Sequence, residues 1–315
     1  MRAISDRDIL KICYLYYKEE KTQDEISKLW GLSRFKISRI LKEARRRGLV
    51  TITIHDPGVQ LAEVESDLAK KSSLQQTIVV KVNEFSGESM LDQVGKAAAN
   101  YLRDILPEYR ILGVTWGNTV YHVVHHLEPI RVKDLVLVQI GGGLGTIEGM
   151  DNNTLTLILG QKLGAKAHVI PAPVIVTNRE IRDTLFKEKK IQETLAIARK
   201  ADLVLFGLGL IGLDGLLWKS GFLTKTDTAK LKASGAVGAV CGRFFDANGK
   251  QCWSALDDRT IGLNLDELRR IKHKICVVTG LEKLDIIRAA IKGRLLDVLI
   301  TDAETAAGLL HERAE

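Results

Sequence analysis

Beyond residue 75 the chain repeatedly switches its hydrophobic period, and this switching narrows the fold more than any other feature. Short runs rich in β-branched and aliphatic residues, at 77–82, 111–114, 135–140, 203–206, 275–278 and 298–300, alternate with stretches whose apolar residues recur at helical spacing. Strand, helix and strand in repetition predict a parallel sheet covered on both faces, an α/β doubly wound architecture. Ligands of such sheets sit at the carboxyl ends of the strands, where loops turn into helix N-termini, so the search for a site reduces to those loops.

The first such loop is Gly113-Val114-Thr115-Trp116-Gly117-Asn118-Thr119, leading into a helix that carries Val120, Val123, Val124 and Leu127. Small residues admit an anion close to the backbone, hydroxyls add donors and the helix terminus supplies oriented amides. An ordinary turn capped by Asn118 or Thr119 is the plainer alternative. The second loop, Gly141-Gly142-Gly143-Leu144-Gly145, permits similar approach. The third, Gly207-Leu208-Gly209-Leu210-Ile211-Gly212, matches a dinucleotide fingerprint by letter, but Leu213-Asp214-Gly215 continues as turn where the fingerprint needs a helix, so a dehydrogenase is not expected. Lys283 follows a strand and stands near a helix start, where a cation is misplaced unless it is a solvated surface lysine or has an anion for a partner. Asp302 either caps the helix starting at Ala303 or accepts hydroxyls, with capping favoured.

The first 56 residues read differently. Ile9, Ile12, Cys13 and Tyr16 line one face of a helix; Thr22-Gln23-Asp24-Glu25 is a capping box ahead of Ile26, Leu29 and Trp30; Gly31 ends that short helix and Ser33 caps the next. This is helix-turn-helix spacing. In the third helix Ile37, Ile40, Leu41 and Ala44 form the buried stripe, which turns Phe35, Ser38, Arg39, Lys42 and Arg46 outward with Arg34 and Lys36 on the flanks. Arg34, Phe35, Ser38 and Arg39 are the expected base readers, and Lys36, Lys42 and Arg46 the expected phosphate contacts. Gln23 and Ser33, at the starts of the second and third helices, join the expected DNA-binding set. Phe35 suits a thymine methyl, or else packs on a neighbouring subunit. The alternation over 49–54 predicts a wing strand, and His55-Asp56-Pro57-Gly58 predicts a linker, which divides the chain into 1–56 and 57–315. Leu61, Val64 and Leu68 then belong either to an oligomer contact or to a packed helix within the domain.

Charge agrees with that division. Residues 1–56 hold 13 Lys and Arg against 8 Asp and Glu, whereas the rest of the 315-residue chain holds 33 against 31. A basic head on a nearly neutral body is the layout of a protein whose head meets a polyanion. No apolar stretch is long enough to cross a bilayer and no leader pattern opens the sequence, so a cytoplasmic protein is expected. Cys13, Cys241, Cys252 and Cys276 follow no disulfide or metal spacing and read as reduced core residues. His122, His125 and His126 share one predicted helix with no partnering cluster of acids in the sequence, so neither metal nor cofactor is expected.

These segments resemble the SorC-type, or DeoR-like, sugar-binding transcriptional regulators. The head resembles that family at Leu32-Ser33-Arg34-Phe35-Lys36-Ile37-Ser38-Arg39. The body resembles it at Ser220-Gly221-Phe222-Leu223, Gly235-Ala236-Val237-Gly238, Gly242-Arg243-Phe244-Phe245-Asp246, Ile261-Gly262-Leu263 and Leu299-Ile300-Thr301-Asp302. The resemblance implies an effector domain related in fold to sugar-phosphate isomerases and deaminases but without their activity, a phosphorylated sugar or polyol as effector, and dimers or tetramers on double-stranded operator DNA. It further implies that Thr115, Gly117, Asn118 and Thr119 hold the phosphate with Lys283, with Trp116 among the effector-binding residues. By the same analogy Gly141, Gly142, Gly207 and Gly209 shape the pocket, and Asp151 and Asn152 contact hydroxyls. Two positions depart from the family pattern: Ala239 stands where an acid is common, and Thr279 where a glycine is common.

The competing expectation is an isomerase or deaminase carrying a DNA-binding head. It would need a carboxylate placed to move a proton between adjacent carbons, and Asp151, Asp214 and Asp302 are the sequence's candidates.

Overall fold

The computed structural model describes residues 5–50, 57–147 and 150–311. It separates into two units, Met1–Val59 and Gln60–Glu315.

The described residues of the first unit include the helices α1 (Asp6–Tyr17), α2 (Gln23–Trp30) and α3 (Arg34–Arg46). Each start is chemically marked. Ser5 and Thr22 form capping boxes with Asp8 and Glu25, and Ser33 accepts from the Lys36 amide. Gly31, with φ of 62°, supplies the left-handed residue that ends α2. The core is Ile9, Ile12, Cys13, Ile26, Ile37, Ile40, Leu41 and Ala44. The predicted wing strand falls mostly on residues 51–56, outside the described residues; Leu49 and Val50 before it are bends. His55 and Asp56 of the predicted linker are also outside them. Pro57 and Gly58 are not a turn but the start of α4 (Pro57–Lys71), where proline's fixed φ and missing amide suit a first helical turn. Leu61, Val64 and Leu68 pack with Val79 and Ala306, and Glu65 accepts the Val79 amide at 2.7 Å, so α4 is a packed helix of the second unit's core.

The second unit continues with β1 (Gln76–Val80), α5 (Met90–Ile105), β2 (Ile111–Val114), α6 (Asn118–His126), β3 (Val136–Gln139), a small hairpin of β4 (Thr146–Ile147) and β5 (Met150–Asp151), α7 (Asn152–Leu163) and β6 (Lys166–His168). It proceeds through α8 (Arg179–Leu185), α9 (Lys189–Ala198), β7 (Leu203–Phe206), α10 (Leu216–Lys219), α11 (Lys225–Ala233) and the hairpin β8 (Ala236–Val240) and β9 (Arg243–Asp246). It ends with α12 (Ser254–Asp257), α13 (Leu265–Arg269), β10 (His273–Val277), α14 (Leu284–Lys292), β11 (Val298–Asp302) and α15 (Ala303–Leu310).

Seven strands form one parallel sheet in the order β1-β11-β10-β7-β2-β3-β6. Alternate residues of each strand enter opposite cores, as the pleat requires. Leu112, Leu137, Leu205 and Val277 meet α5, α6 and α7, while Val138, Phe206, Cys276 and Leu299 meet α13 and α14. From β2 the chain steps outward through β3 to β6, then returns to lay β7 on the other side of β2 and steps away through β10 and β11. The loops leaving β2 and β7 therefore diverge to opposite faces, and a crevice opens between them at this topological switch point.

A third cluster, including Leu217, Leu231, Ala239, Phe244 and Leu256, forms around the β8–β9 hairpin. Cys241 and Gly242 turn that hairpin with φ of 53° and 78°, the paired left-handed geometry of a tight two-residue turn. Arg243 anchors it: its buried guanidinium donates to the Leu263, Asp257, Thr260 and Gly262 carbonyls at 2.8–3.2 Å. Its Nη1 also lies 2.8 Å from Asp257 Oδ1, a Coulombic pairing rather than an aimed hydrogen bond. All four cysteines are free and buried, and burial pushes the Cys241 thiol up to about 12.

Candidate functional site

A cavity of about 300 Å³ lies in the crevice between the β2 and β7 loops. That is room for roughly ten waters at about 30 Å³ each. The β2 loop gives Trp116, Gly117, Asn118 and Thr119, the β7 loop Gly207, Leu208, Gly209 and Leu210, and the β10 loop Thr279, Gly280, Glu282 and Lys283. The β8–β9 hairpin adds Ala239, Cys241 and Gly242.

The N-terminus of α6 is uncapped. Its N-cap is Gly117, with φ of 143°, and no side chain closes it, so neither Asn118 nor Thr119 plays the capping part that the plainer reading gave them. The first-turn amides are thus left for whatever occupies the cavity, at the positive end of the helix. Across from it Lys283 follows the left-handed Gly280 and is half-buried in a single 3-10 turn. Its ammonium makes no ion pair within 4 Å among the described residues, and burial, offset by neighbouring Glu282, pulls its pKa below the usual lysine value. A desolvated, unpaired cation beside open amides is an anion site by its electrostatics. Gly207 is the close-approach glycine: a Cβ there would stand 2.6 Å from Thr119 Oγ1.

The remaining expected residues are placed differently. Thr115 is buried off the lining, and its hydroxyl donates to the Trp116 carbonyl at 3.2 Å. Gly141 and Gly142 also lie off the lining. Gly142 sits against the Pro173 carbonyl and accepts from Trp116 Nε1 at 3.0 Å, reaching the cavity only through that indole. Asp151 ends β5 and Asn152 starts α7, but their side chains are outside the described residues. Asp302 caps α15, accepting from the Thr305 amide and hydroxyl at 2.8 and 2.6 Å, which leaves it no free role in the crevice. Gly209 pairs with Ala239 through two backbone bonds of 2.8 and 3.0 Å, and Asp214-Gly215 remains turn, so no helix opens at Gly212. Both departures from the family pattern, Ala239 and Thr279, are on the cavity wall. Sequence reading missed Cys241 and Gly242 there, because their position follows only from the hairpin, and it raised Asp214 only as a carboxylate for the competing enzyme reading.

On the head, Phe35 is 79% exposed, and Arg34, Arg39, Lys42 and Arg46 are exposed with it on α3, while Lys36 and Ser38 are half-buried. Arg39, Lys42 and Lys36 form no ion pair among the described residues. Arg46 instead donates to Glu43 at 2.9 and 2.7 Å, and Arg34 lies 3.6 Å from Asp24. Gln23 and Arg34 share a shallow depression at the start of α2. Two exposed cations without an ion pair, Arg39 and Lys42, beside an exposed aromatic on one helix face, with Lys36 on its flank, make a surface suited to a groove of nucleic acid.

One expectation about the histidines needs correction. Asp92 of α5 does reach the α6 pair, with Oδ1 at 2.8 Å from His122 Nδ1 and 2.9 Å from His126 Nε2.

Among the described residues no helix is long and apolar enough to cross a membrane. The family described as "Putative sugar-binding domain" matches residues 56–311. The chain is 30% identical to the deoxyribonucleoside regulator of Bacillus subtilis (strain 168) over 299 residues, 95% of each protein. It is 30% identical to the sorbitol operon regulator of Klebsiella pneumoniae over 308 residues, 96% of this chain and 98% of that one. The crystal structure of full-length SorC from Klebsiella pneumoniae superposes with a TM-score of 0.75 at 28% identity, covering 98% of this chain and all of that one. A DeoR family transcriptional regulator from Listeria monocytogenes also gives 0.75, at 27% identity over 79% of this chain and 99% of that one. These relatives are named as regulators, not enzymes. The chain belongs to the sugar-binding family of SorC- and DeoR-type transcriptional regulators.

Proposed function

We propose that this regulator serves a carbohydrate or polyol catabolic operon and is controlled by a phosphorylated sugar or sugar alcohol bound in the crevice between the β2 and β7 loops. The single observation that carries this reading is the uncapped α6 N-terminus facing the unpaired Lys283 ammonium across a cavity of about 300 Å³. The phosphate sits on the amides at Gly117 to Thr119 with Lys283 as its counter-ion, and Gly207 and Gly209 leave room for the sugar. Exposed Asp214 and Glu282 bring carboxylates to the rim that suit its hydroxyls. The relatives' names, a deoxyribonucleoside and a sorbitol operon regulator, favour a carbohydrate-derived effector.

The protein acts in the cytoplasm as a dimer or tetramer on double-stranded operator DNA. Residues 1–56 serve as a winged helix-turn-helix with α3 in the major groove; residues 57–315 serve as the effector and oligomerisation domain, of the isomerase-like kind. Effector binding favours one of two arrangements of the paired heads, and the coupling equals the difference in effector affinity between them. Calorimetric titration with a panel of phosphorylated sugars and polyols beside their unphosphorylated forms tests the site. One phosphorylated compound should bind and inorganic phosphate should compete weakly. Equal binding of the unphosphorylated form, or undiminished binding to Thr119→Asp, would refute it.

A further inference from the structure

We infer that Asp92, His122 and His126 form a binding site for a divalent transition metal ion of the zinc class, which fastens α5 to α6. The two histidines are spaced i and i+4 on α6, the interval that puts two imidazoles on one helix face and recurs in helical zinc sites. Asp92 comes from α5, thirty positions earlier, and aims Oδ1 at both rings. The three ligand-type atoms lie within 4.8 Å of one another and the side chains are partly buried.

The surroundings hold these groups ready. Ser89 donates to the other carboxylate oxygen of Asp92 at 2.6 Å, fixing the carboxylate plane as an outer-shell partner does in metal sites. Gly95, one turn on from Asp92, lets the helices approach. A Cβ there would stand 2.6 Å from His122 Cβ, so the ring's position is set by backbone packing.

Without an ion, two N–H groups converge on one oxygen. When a divalent ion binds, each of those protons moves to the other ring nitrogen or to solvent, and the two freed lone pairs ligate the ion. With bonds of about 2.1 Å, tetrahedral ligand atoms are roughly 3.4 Å apart, so the carboxylate would retreat about 0.5 Å from its present 2.8 and 2.9 Å contacts while the two ring nitrogens, which lie within 4.8 Å of each other, settle to the same spacing. Two nitrogens and one oxygen suit zinc, nickel or cobalt over magnesium or calcium, which prefer oxygen alone. Val123 occupies the position beside the first histidine where a hydrolytic site of this spacing carries a glutamate base, so the site binds and does not hydrolyse.

The test uses the untagged full-length chain, stripped with chelator and dialysed against Zn2+, with bound metal counted by mass spectrometry. Wild type should hold one Zn2+ per chain; Asp92→Asn and His126→Ala should each weaken binding at least about tenfold, and His125→Ala, on the same helix but outside the cluster, should not. Should His126→Ala fail to fold, Co2+ added to wild type and to Asp92→Asn decides the matter: the visible bands of low-coordinate cobalt should appear in the first and fade in the second. Absence of zinc from wild type, or equal zinc in wild type and Asp92→Asn, would overturn the site. None of these outcomes depends on the effector reading.

Discussion

Replacing Lys283 by methionine separates a ligand-binding lysine from a structural one, because the two roles move stability in opposite directions. Methionine keeps the length of the stem and removes the charge. At an effective dielectric of about 20, an ammonium about 4 Å from a phosphate gains at most about 4 kcal/mol, and hydrogen bonds to charged groups net about 1.5–3 kcal/mol in practice. Affinity for the phosphorylated effector should therefore fall roughly 10- to 150-fold in a calorimetric titration. Stability should not fall with it. Burial disfavours the charged form of Lys283, so its folded pKa lies below that of the unfolded chain. The cost of holding it charged is full at neutral pH and is relieved as pH rises through that lowered value toward about 10.5, so the methionine variant should melt at the same or a higher temperature at pH 7, with the gap to wild type narrowing toward pH 10. A variant that binds the effector as wild type does would show that Lys283 is not the counter-ion, and one that melts lower at pH 7 would show that its charge stabilises the fold.

Three further outcomes follow from the same geometry. Lys42→Ala should weaken DNA binding evenly across sequences and lower the salt slope by about one, whereas Arg39→Ala should cost about 1–3 kcal/mol and relax base preference at one position, both read by anisotropy titrations over salt and mismatched operators. Arg243→Met leaves the Asp257 carboxylate without its counter-charge and four carbonyls without their donor, and should destabilise the second unit by about 3–5 kcal/mol in urea unfolding; a loss below about 1 kcal/mol would show the pairing is dispensable. Gly207→Ala should reduce effector affinity by crowding Thr119 Oγ1 while leaving DNA affinity without effector unchanged, and an unaltered effector titration would count against the crevice as the site.

The three helices of the head were legible because each is marked locally: the stripe Ile37, Ile40, Leu41 and Ala44, the caps at Thr22 and Ser33 and the turn at Gly31 each lie within a few residues. The central strands were legible as unbroken apolar runs. The three-residue edge strand Lys166–His168 was not, since an edge needs no apolar run and this one carries a lysine and a histidine. Pro57-Gly58 carries turn chemistry and opens a helix instead, because proline is as much at home in a first helical turn. Trp116 to Thr119 and Lys283 lie on loops that the strand-end rule singles out, Gly207 and Gly209 entered the pocket only through the family resemblance, and all line one cavity. Gly141, Gly142 and Thr115 satisfy the same local rule but face packing partners, which only the register of neighbouring loops decides. Asp92 with His122 and His126 is a contact between two helices, invisible to any periodicity within either.

On this reading one phosphorylated carbohydrate, bound in the β2–β7 crevice, changes the grip of the head on DNA. Fluorescence anisotropy with labelled duplex from the region upstream of the chain's own gene, recorded with and without the phosphorylated and unphosphorylated panel, tests it most directly. Specific, salt-dependent binding shifted by a single phosphorylated compound in wild type, and no longer shifted at that concentration in Lys283→Met, is the predicted result. Turnover of a sugar phosphate with no change in DNA affinity, or a response that survives in Lys283→Met unchanged, would contradict it.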